Sequence, residues 1–487
     1  MKIKELLFAL LFISACKTDI PDVAVSTNYP PTVEKIIIGK CATAGCHNSI
    51  SNSAAGGLDL SSWDVMFNGT SNGAVTIPYR GDYSTLLYFT CTDTLLGLVS
   101  KPTMPINLPA LSATDYLTLR SWINSGAPDN KGNIAFSGNP LRHKFYVSNQ
   151  GCDVVSVFDT DRRVIMRMVD VGINPDPTHP EAPHNIRVSA DGKFWMAVFL
   201  NSDVIQIFDA ATDQLIRTIP IGNGISGQWN TGIISSDSKS AYIVDYSQGR
   251  ISFVDLVTGI CHTEGPFLIG STGQQLHGIA LNQSNDTIYV TCQNESSIFK
   301  IPINDINNYQ YKRLWKFGQA PITSLKPHDL VFTPDFAHYL VTCQDTNYNE
   351  VRVMDSATDT LFAIISVGKY PQEIVVSPSH NLAFVTNMED NTFPNVKGSV
   401  SVIDLNSFTE LKKVQVGWQP HGIAVDEKKQ LVYVANRNVS GGIAPHHPTA
   451  CAGKNGYLSV IDLNTLDYIR DYKPELSVDP YSVSVRP

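Results

Sequence analysis

A repeat that begins near residue 140 and runs to the C-terminus constrains the fold more than any other feature of this sequence. Units of about 44 to 60 residues recur, a period typical of propellers. Each unit opens with a segment of the type Pro-His-Gly-Ile, followed by strands in which apolar and polar residues alternate. Alternation with many β-branched and aromatic residues indicates strands. Seven first strands can be counted, and they predict seven blades of four strands each.

The two ends of the repeat array are expected to meet in one blade. The array starts at a second strand, residues 143–149, and ends at a first strand, residues 480–485. Closure of this kind removes open sheet edges. Second strands such as Tyr433-Val434-Ala435-Asn436 resemble those of YVTN-family β-propellers, and the resemblance covers residues 140–487. It implies a fold and does not define an activity.

The N-terminus has the features of an export signal. Two lysines precede an apolar run over residues 6–13, which is too short to span a bilayer but suits a signal peptide. The run ends in Ile13-Ser14-Ala15-Cys16, which resembles a bacterial lipobox. We expect a lipoprotein signal peptide (1–16) with lipidation at Cys16 and a tether (17–30), although an ordinary signal peptide with an incidental cysteine is the alternative. Lys17 favours the outer membrane, by analogy with lipoprotein sorting.

A haem-attachment pattern follows the tether. In Cys41-Ala-Thr-Ala-Gly-Cys46-His47, two thiols stand beside an imidazole, as a covalently bound haem requires. The usual spacing has two residues between the cysteines, and here there are four. The alternatives are a Cys41–Cys46 disulfide with a nearby surface histidine, and a metal knuckle.

The residues around this pattern resemble small class I-type cytochrome c domains, over about residues 31–130. Helical spacing precedes Cys41, a Pro-Thr-Met-Pro loop contains Met104, and a capped amphipathic helix begins at Ser112. The resemblance implies that Cys41 and Cys46 attach one haem c and that His47 is the proximal iron ligand. It also implies Met104 as the distal ligand, with Met66 as a distant alternative and a gap-filling role as the other interpretation of Met104.

The propeller contains two further candidate sites. The slot that opens each first strand is always polar, and its four histidines (His184, His277, His328 and His421) could line one mouth of the central channel. A bound metal, a second haem or a substrate is one interpretation, and bonding between neighbouring blades or a polar pocket is the other. An insert over residues 440–456 contains His446, His447 and Cys451, which form either a metal or redox corner or an ordered loop that touches the cytochrome or a partner.

Together these patterns predict a multidomain protein, in which a small all-α cytochrome c domain precedes an all-β seven-bladed β-propeller at residues 140–487. The leading hypothesis is an exported, lipid-anchored c-type cytochrome of the bacterial cell envelope that transfers electrons between redox partner proteins. The propeller would dock the cytochrome domain or another protein. The alternatives are a haem-dependent oxidoreductase with a substrate or metal in the channel, and a non-enzymatic binding or scaffolding lipoprotein. A net charge of -9 disfavours nucleic acid as a partner.

Overall fold

The computed structural model describes residues 26–487 except 175, 177, 270–274, 317–318, 321, 323, 394–397 and 450. The predicted signal peptide and Cys16 therefore lie outside the described residues. Within the described ranges, no helix combines the length and the apolar character that a membrane crossing requires.

The repeat folds into seven antiparallel four-stranded sheets, which confirms the predicted seven-bladed propeller. The first blade contains β28 (Pro480–Val485), β1 (Lys144–Asn149), β2 (Val154–Asp159) and β3 (Val164–Asp170). The second contains β4 (Pro183–Val188), β5 (Phe194–Phe199), β6 (Val204–Asp209) and β7 (Leu215–Pro220). The third contains β8 (Trp229–Ile234), β9 (Ser240–Asp245), β10 (Arg250–Asp255) and β11 (Cys261–Glu264).

The other four blades repeat this order. The fourth contains β12 (Leu276–Leu281), β13 (Thr287–Cys292), β14 (Ser297–Pro302) and β15 (Gln310–Arg313). The fifth contains β16 (Pro327–Phe332), β17 (His338–Cys343), β18 (Glu350–Asp355) and β19 (Leu361–Ser366). The sixth contains β20 (Lys369–Ser377), β21 (Leu382–Glu389), β22 (Ser399–Asp404) and β23 (Thr409–Gln415). The seventh contains β24 (Pro420–Asp426), β25 (Leu431–Asn436), β26 (Asn455–Asp462) and β27 (Glu475–Val478).

Apolar and aromatic side chains hold neighbouring blades together. In the first blade, Phe145 is fully buried, stacks on Phe158 of the same blade at 4.3 Å and on Tyr433 of the seventh blade at 3.9 Å. β1 pairs with β28 with Phe145 opposite Val485, so the last strand of the chain lies in the first blade. A ring closed in this way has no long exposed inner edge.

The N-terminal segment, residues 26–143, contains four α-helices: α1 (Pro31–Ile36), α2 (Trp63–Met66), α3 (Thr85–Thr90) and α4 (Ala113–Asn124). They are 4 to 12 residues long. α4 begins where the sequence predicts, after Ser112, whose hydroxyl accepts a hydrogen bond from the Asp115 amide at 3.1 Å. Between α1 and α2 the chain turns at Gly45, Gly56 and Gly57, which all have positive φ.

The prediction of a separate small all-α cytochrome c domain is wrong. The protein is nearly all β, and its short helices belong to a segment that packs on the propeller. Ile77 is buried in the core shared by the first and seventh blades. Arg80 pairs with Asp170 at the end of β3, with Nη1 and Oδ1 2.8 Å apart. Helical periodicity is visible in sequence, but the long-range burial that joins this segment to the propeller is not.

Candidate cofactor site

The loop that carries the two thiols is fixed by backbone hydrogen bonds. α1 continues into a π-helical turn, Ile37–Cys41, which ends at the first thiol. The His47 amide donates to the Cys41 carbonyl at 3.2 Å, and the Leu60 amide donates to the His47 carbonyl at 2.9 Å. Cys41 and Cys46 are close but not joined by a disulfide. The Cys41–Cys46 disulfide, which was an alternative interpretation of this pattern, is therefore not formed.

Met104 is brought to the same place by α3. Its amide donates to the Phe89 carbonyl at 2.7 Å, so the Pro-Thr-Met-Pro loop lies against the end of that helix. Met66, the alternative ligand, is buried in the core of the N-terminal segment, where its sulfur accepts a hydrogen bond from Thr76 at 3.5 Å.

Cys41, Cys46, His47 and Met104 all line one cavity of about 590 Å³. Cofactor and ligand pockets typically have volumes of about 300–1,000 Å³ and mostly apolar walls. The apolar part of this wall is formed by Leu58, Leu60, Val75, Leu86, Phe89 and Ile106. The cavity wall thus presents two thiols, an imidazole and a thioether in a mostly apolar environment. This set of groups fits a covalently attached haem.

Burial shifts the pKa values of two polar groups in this cavity. Burial lowers the pKa of His47, although the backbone groups of Leu58 and Ala55 oppose the effect. The imidazole is therefore neutral at pH 7 and retains a nitrogen lone pair. Its Nδ1 atom is buried and has no hydrogen-bond partner. Burial, with the neighbouring Cys46, raises the pKa of the Cys41 thiol to about 11, so the thiol is protonated at neutral pH.

The propeller completes the wall of this cavity. His446 and His447, in the insert between β25 and β26, line it together with the N-terminal residues. The His446 ring lies 5.8 Å from the Phe89 ring, and the His447 ring lies 5.6 Å from the Tyr88 ring. The insert therefore contacts the segment that carries the thiols.

A disulfide that the sequence did not reveal anchors the insert. Cys451 is bonded to Cys152, which lies in the turn between β1 and β2, across a sequence separation of 299 residues. The Cys152 thiol has no recognisable partner in the sequence, because only ring closure brings the first and seventh blades together. The metal or redox corner, one of the two interpretations of His446, His447 and Cys451, is thus divided. The histidines line the cavity, whereas the cysteine is bridged.

The four channel histidines come together, and most of them tie neighbouring blades. His184 Nδ1 lies 2.7 Å from the Asn230 carbonyl of the next blade, and His277 Nδ1 lies 3.1 Å from the His328 carbonyl. His421 Nδ1 lies 3.3 Å from the Tyr481 carbonyl. A backbone carbonyl accepts, so these nitrogens are the protonated ones. Burial lowers the pKa of each of the four histidines, which keeps them neutral.

In the part of the chain that the structure describes, no group of three or more His, Cys, Asp or Glu side chains is arranged to hold a metal ion. The channel histidines and the pair in the insert are included in that search. The contacts of His184, His277 and His421 fit bonding between neighbouring blades, one of the two interpretations that the sequence allowed.

No family model matches the chain, and no curated protein matches it. Among solved structures, a candidate 6-phosphogluconolactonase from Bacteroides fragilis NCTC 9343 is 15% identical, with a TM-score of 0.51 over 72% of this chain and 99% of that one. Kuenenia stuttgartiensis hydrazine synthase is 16% identical, with a TM-score of 0.48 over 63% and 90%. The dihydro-heme d1 dehydrogenase NirN in complex with DHE is 12% identical, with a TM-score of 0.48 over 93% and 98%. Likenesses at these identities concern the propeller fold alone.

Proposed function

We propose that this protein is an exported electron-transfer protein that carries one covalently attached haem c between its N-terminal segment and its propeller. The observation that carries the proposal is the single apolar cavity lined by Cys41, Cys46, His47 and Met104. A packing role alone does not explain these four residues, because a well-packed core would not leave a cavity of about 590 Å³ beside them.

Each of the four residues has a defined task in this proposal. The thiols of Cys41 and Cys46 would attach the haem through thioether bonds, and the neutral imidazole of His47 and the thioether of Met104 would hold its iron. When bound, the haem supplies one-electron chemistry at its iron. A neutral, soft thioether ligand and an apolar wall both favour the ferrous state, so the protein's contribution is a raised reduction potential.

The salt bridge between Lys40 and Asp115 supports the rim of the cavity. The Lys40 ammonium lies 2.6 Å from the Asp115 carboxylate, which is also bonded to Ser112 at 2.8 Å. The lysine next to the first thiol is therefore tied to the start of α4. Because the pair is partly exposed, its role is to position the loop rather than to add much stability.

Export and lipid anchoring are part of the proposal. The lipobox-like residues 13–16 support attachment to a membrane of the cell envelope, with redox partner proteins there as electron donor and acceptor. The Cys152–Cys451 disulfide independently supports export, since disulfides persist mainly in oxidising compartments outside the cytosol.

The test is covalent haem attachment in protein made with a cytochrome c maturation system. We expect the pyridine haemochrome spectrum of a thioether-linked haem, and haem staining at the position of the chain in a denaturing gel. A double variant, Cys41→Ser with Cys46→Ser, should lose the stain, whereas the matched control Cys261→Ser, on the outer strand β11, should keep it. Protein that binds no covalent haem under these conditions would exclude the proposed function.

A further inference from the structure

His446, in the propeller insert, lines the cofactor cavity and has no role in the proposed function. The Met104 amide donates a hydrogen bond to the Phe89 carbonyl, and the Phe89 ring contacts the His446 imidazole. Both His446 and Met104 line the cavity. A propeller imidazole therefore lies near the loop that carries the predicted distal ligand, on the side of the cavity formed by α3.

The two histidines of the insert differ in whether their ring nitrogens have polar partners. His447 Nδ1 lies 3.0 Å from the Pro448 carbonyl, and its Nε2 lies 3.5 Å from a Glu475 carboxylate oxygen. The hydrogen bonds of His446 among the described residues use only its backbone, because its amide donates to both Glu475 carboxylate oxygens at 3.0 and 3.1 Å. No hydrogen bond among the described residues involves the His446 imidazole, so both ring nitrogens are available.

Contacts of the described residues of the insert keep His446 at the cavity. The Asn438 amide side chain donates to the Ile443 carbonyl at 3.0 Å and to the Asn455 carbonyl at 2.8 Å, which closes the base of the loop. The Cys152–Cys451 disulfide joins the far part of the loop to the first blade. The imidazole is thus carried by a loop fixed at several points.

We infer that His446 is a second distal iron ligand, which binds the haem iron when the Met104 thioether is removed or displaced. The inference rests on the proposed haem. Imidazole is a neutral nitrogen donor that iron accepts in haem proteins, and it replaces a thioether without adding charge to the cavity. His446 thereby makes the propeller part of the redox centre rather than only a platform beside it.

The test compares the spin state of the ferric iron in variants that all retain covalent haem. Met104→Ala removes the thioether and leaves room for His446, and we expect this variant to stay low-spin by visible and electron paramagnetic resonance spectra. Met104→Ala with His446→Ala should lose the low-spin signal and become high-spin. Addition of free imidazole to that double variant should restore the low-spin signal, which shows that the cavity is still folded.

Two matched controls separate His446 from its neighbours. His262→Ala, at an exposed position on β11, should leave the Met104→Ala spectrum unchanged. His447→Ala in the same background should keep a low-spin signal. A Met104→Ala protein with covalent haem that is already high-spin would overturn the inference and leave the proposed function intact, and so would a low-spin signal that depends on His447 instead. Absence of covalent haem from every variant would overturn both.

The disulfide supplies an independent variant that does not alter either histidine. In the Met104→Ala background, Cys152→Ser frees the far part of the insert, and we expect part or all of the low-spin signal to be lost. The same substitution with Met104 present should leave the low-spin spectrum unchanged, because the thioether does not depend on the insert. A low-spin signal that is equally strong with and without the disulfide would contradict the assignment of the insert as the source of the ligand.

Discussion

Replacement of Glu373 by glutamine should stabilise the protein at high pH and have little effect at low pH. Glu373 follows the polar slot of β20 and is buried. Its Oε2 accepts a hydrogen bond from the Ile423 amide at 3.3 Å, and its Oε1 lies 3.6 Å from His421 Nδ1. The other charged groups facing it are Asp329 of the fifth blade and Arg187 of the second.

The magnitude follows from the pKa of this carboxyl group. Burial, assisted by the negative charge of Asp329 and opposed by Arg187, raises the pKa of Glu373 from 4.5 to about 8. The folded state therefore binds the Glu373 proton more tightly than the unfolded state. The favourable contribution is complete below pH 4.5 and is lost progressively as the pH rises to about 8. At about 1.4 kcal/mol for each pKa unit, the loss amounts to at most about 5 kcal/mol.

Urea denaturation of the wild type and of Glu373→Gln, followed by tryptophan fluorescence, measures this effect. The variant should match the wild type within about 1 kcal/mol at pH 5 and exceed it by several kcal/mol at pH 9. Glu264→Gln, on the outer strand β11, is the matched control and should show no such pH dependence. An equal difference between Glu373→Gln and the wild type at both pH values would refute the assignment of a buried, protonated carboxyl.

Three further substitutions test the fold and the anchor. Asp213→Asn should destabilise the protein by about 3–5 kcal/mol in the same assay, because it leaves the Lys144 ammonium, 2.7 Å from Asp213 and 1% exposed, as an unpaired buried charge. Asp191→Asn, which breaks the exposed pair with Lys193, should cost at most about 1 kcal/mol, and equal losses would contradict this view. Cys16→Ala should move the protein from the membrane fraction to the soluble fraction, and unchanged membrane association would exclude a lipid anchor at this residue.

The propeller could be predicted from sequence because the strand pattern that specifies each blade is local and is repeated along the chain. Each blade has its own polar slot, as at His184 or His421, and its own alternating strands, so seven weak signals support one another. The thiols and His47 are likewise adjacent in sequence. To predict that Met104 lies near these residues, it was enough to expect that the loop after α3 folds back towards them.

The relation between the N-terminal segment and the propeller could not be predicted, because it depends on contacts between residues hundreds of positions apart. The burial of Ile77 beside the first and seventh blades has no periodic signal. Cys152 and Cys451 become neighbours only after the ring closes. The place of His446 on the cavity wall has the same origin. For this reason helical patterns that were individually sound led to the wrong expectation of an independent domain.

Mass spectrometry of one tryptic peptide tests the central claim most directly. Cleavage after Lys40 and Arg80 yields a peptide, residues 41–80, that contains both cysteines and His47 and no other thiol. In protein matured with a cytochrome c assembly system, we predict that this peptide carries one haem bonded to Cys41 and Cys46. A peptide in which the two thiols are free, or are joined to each other, would contradict the account.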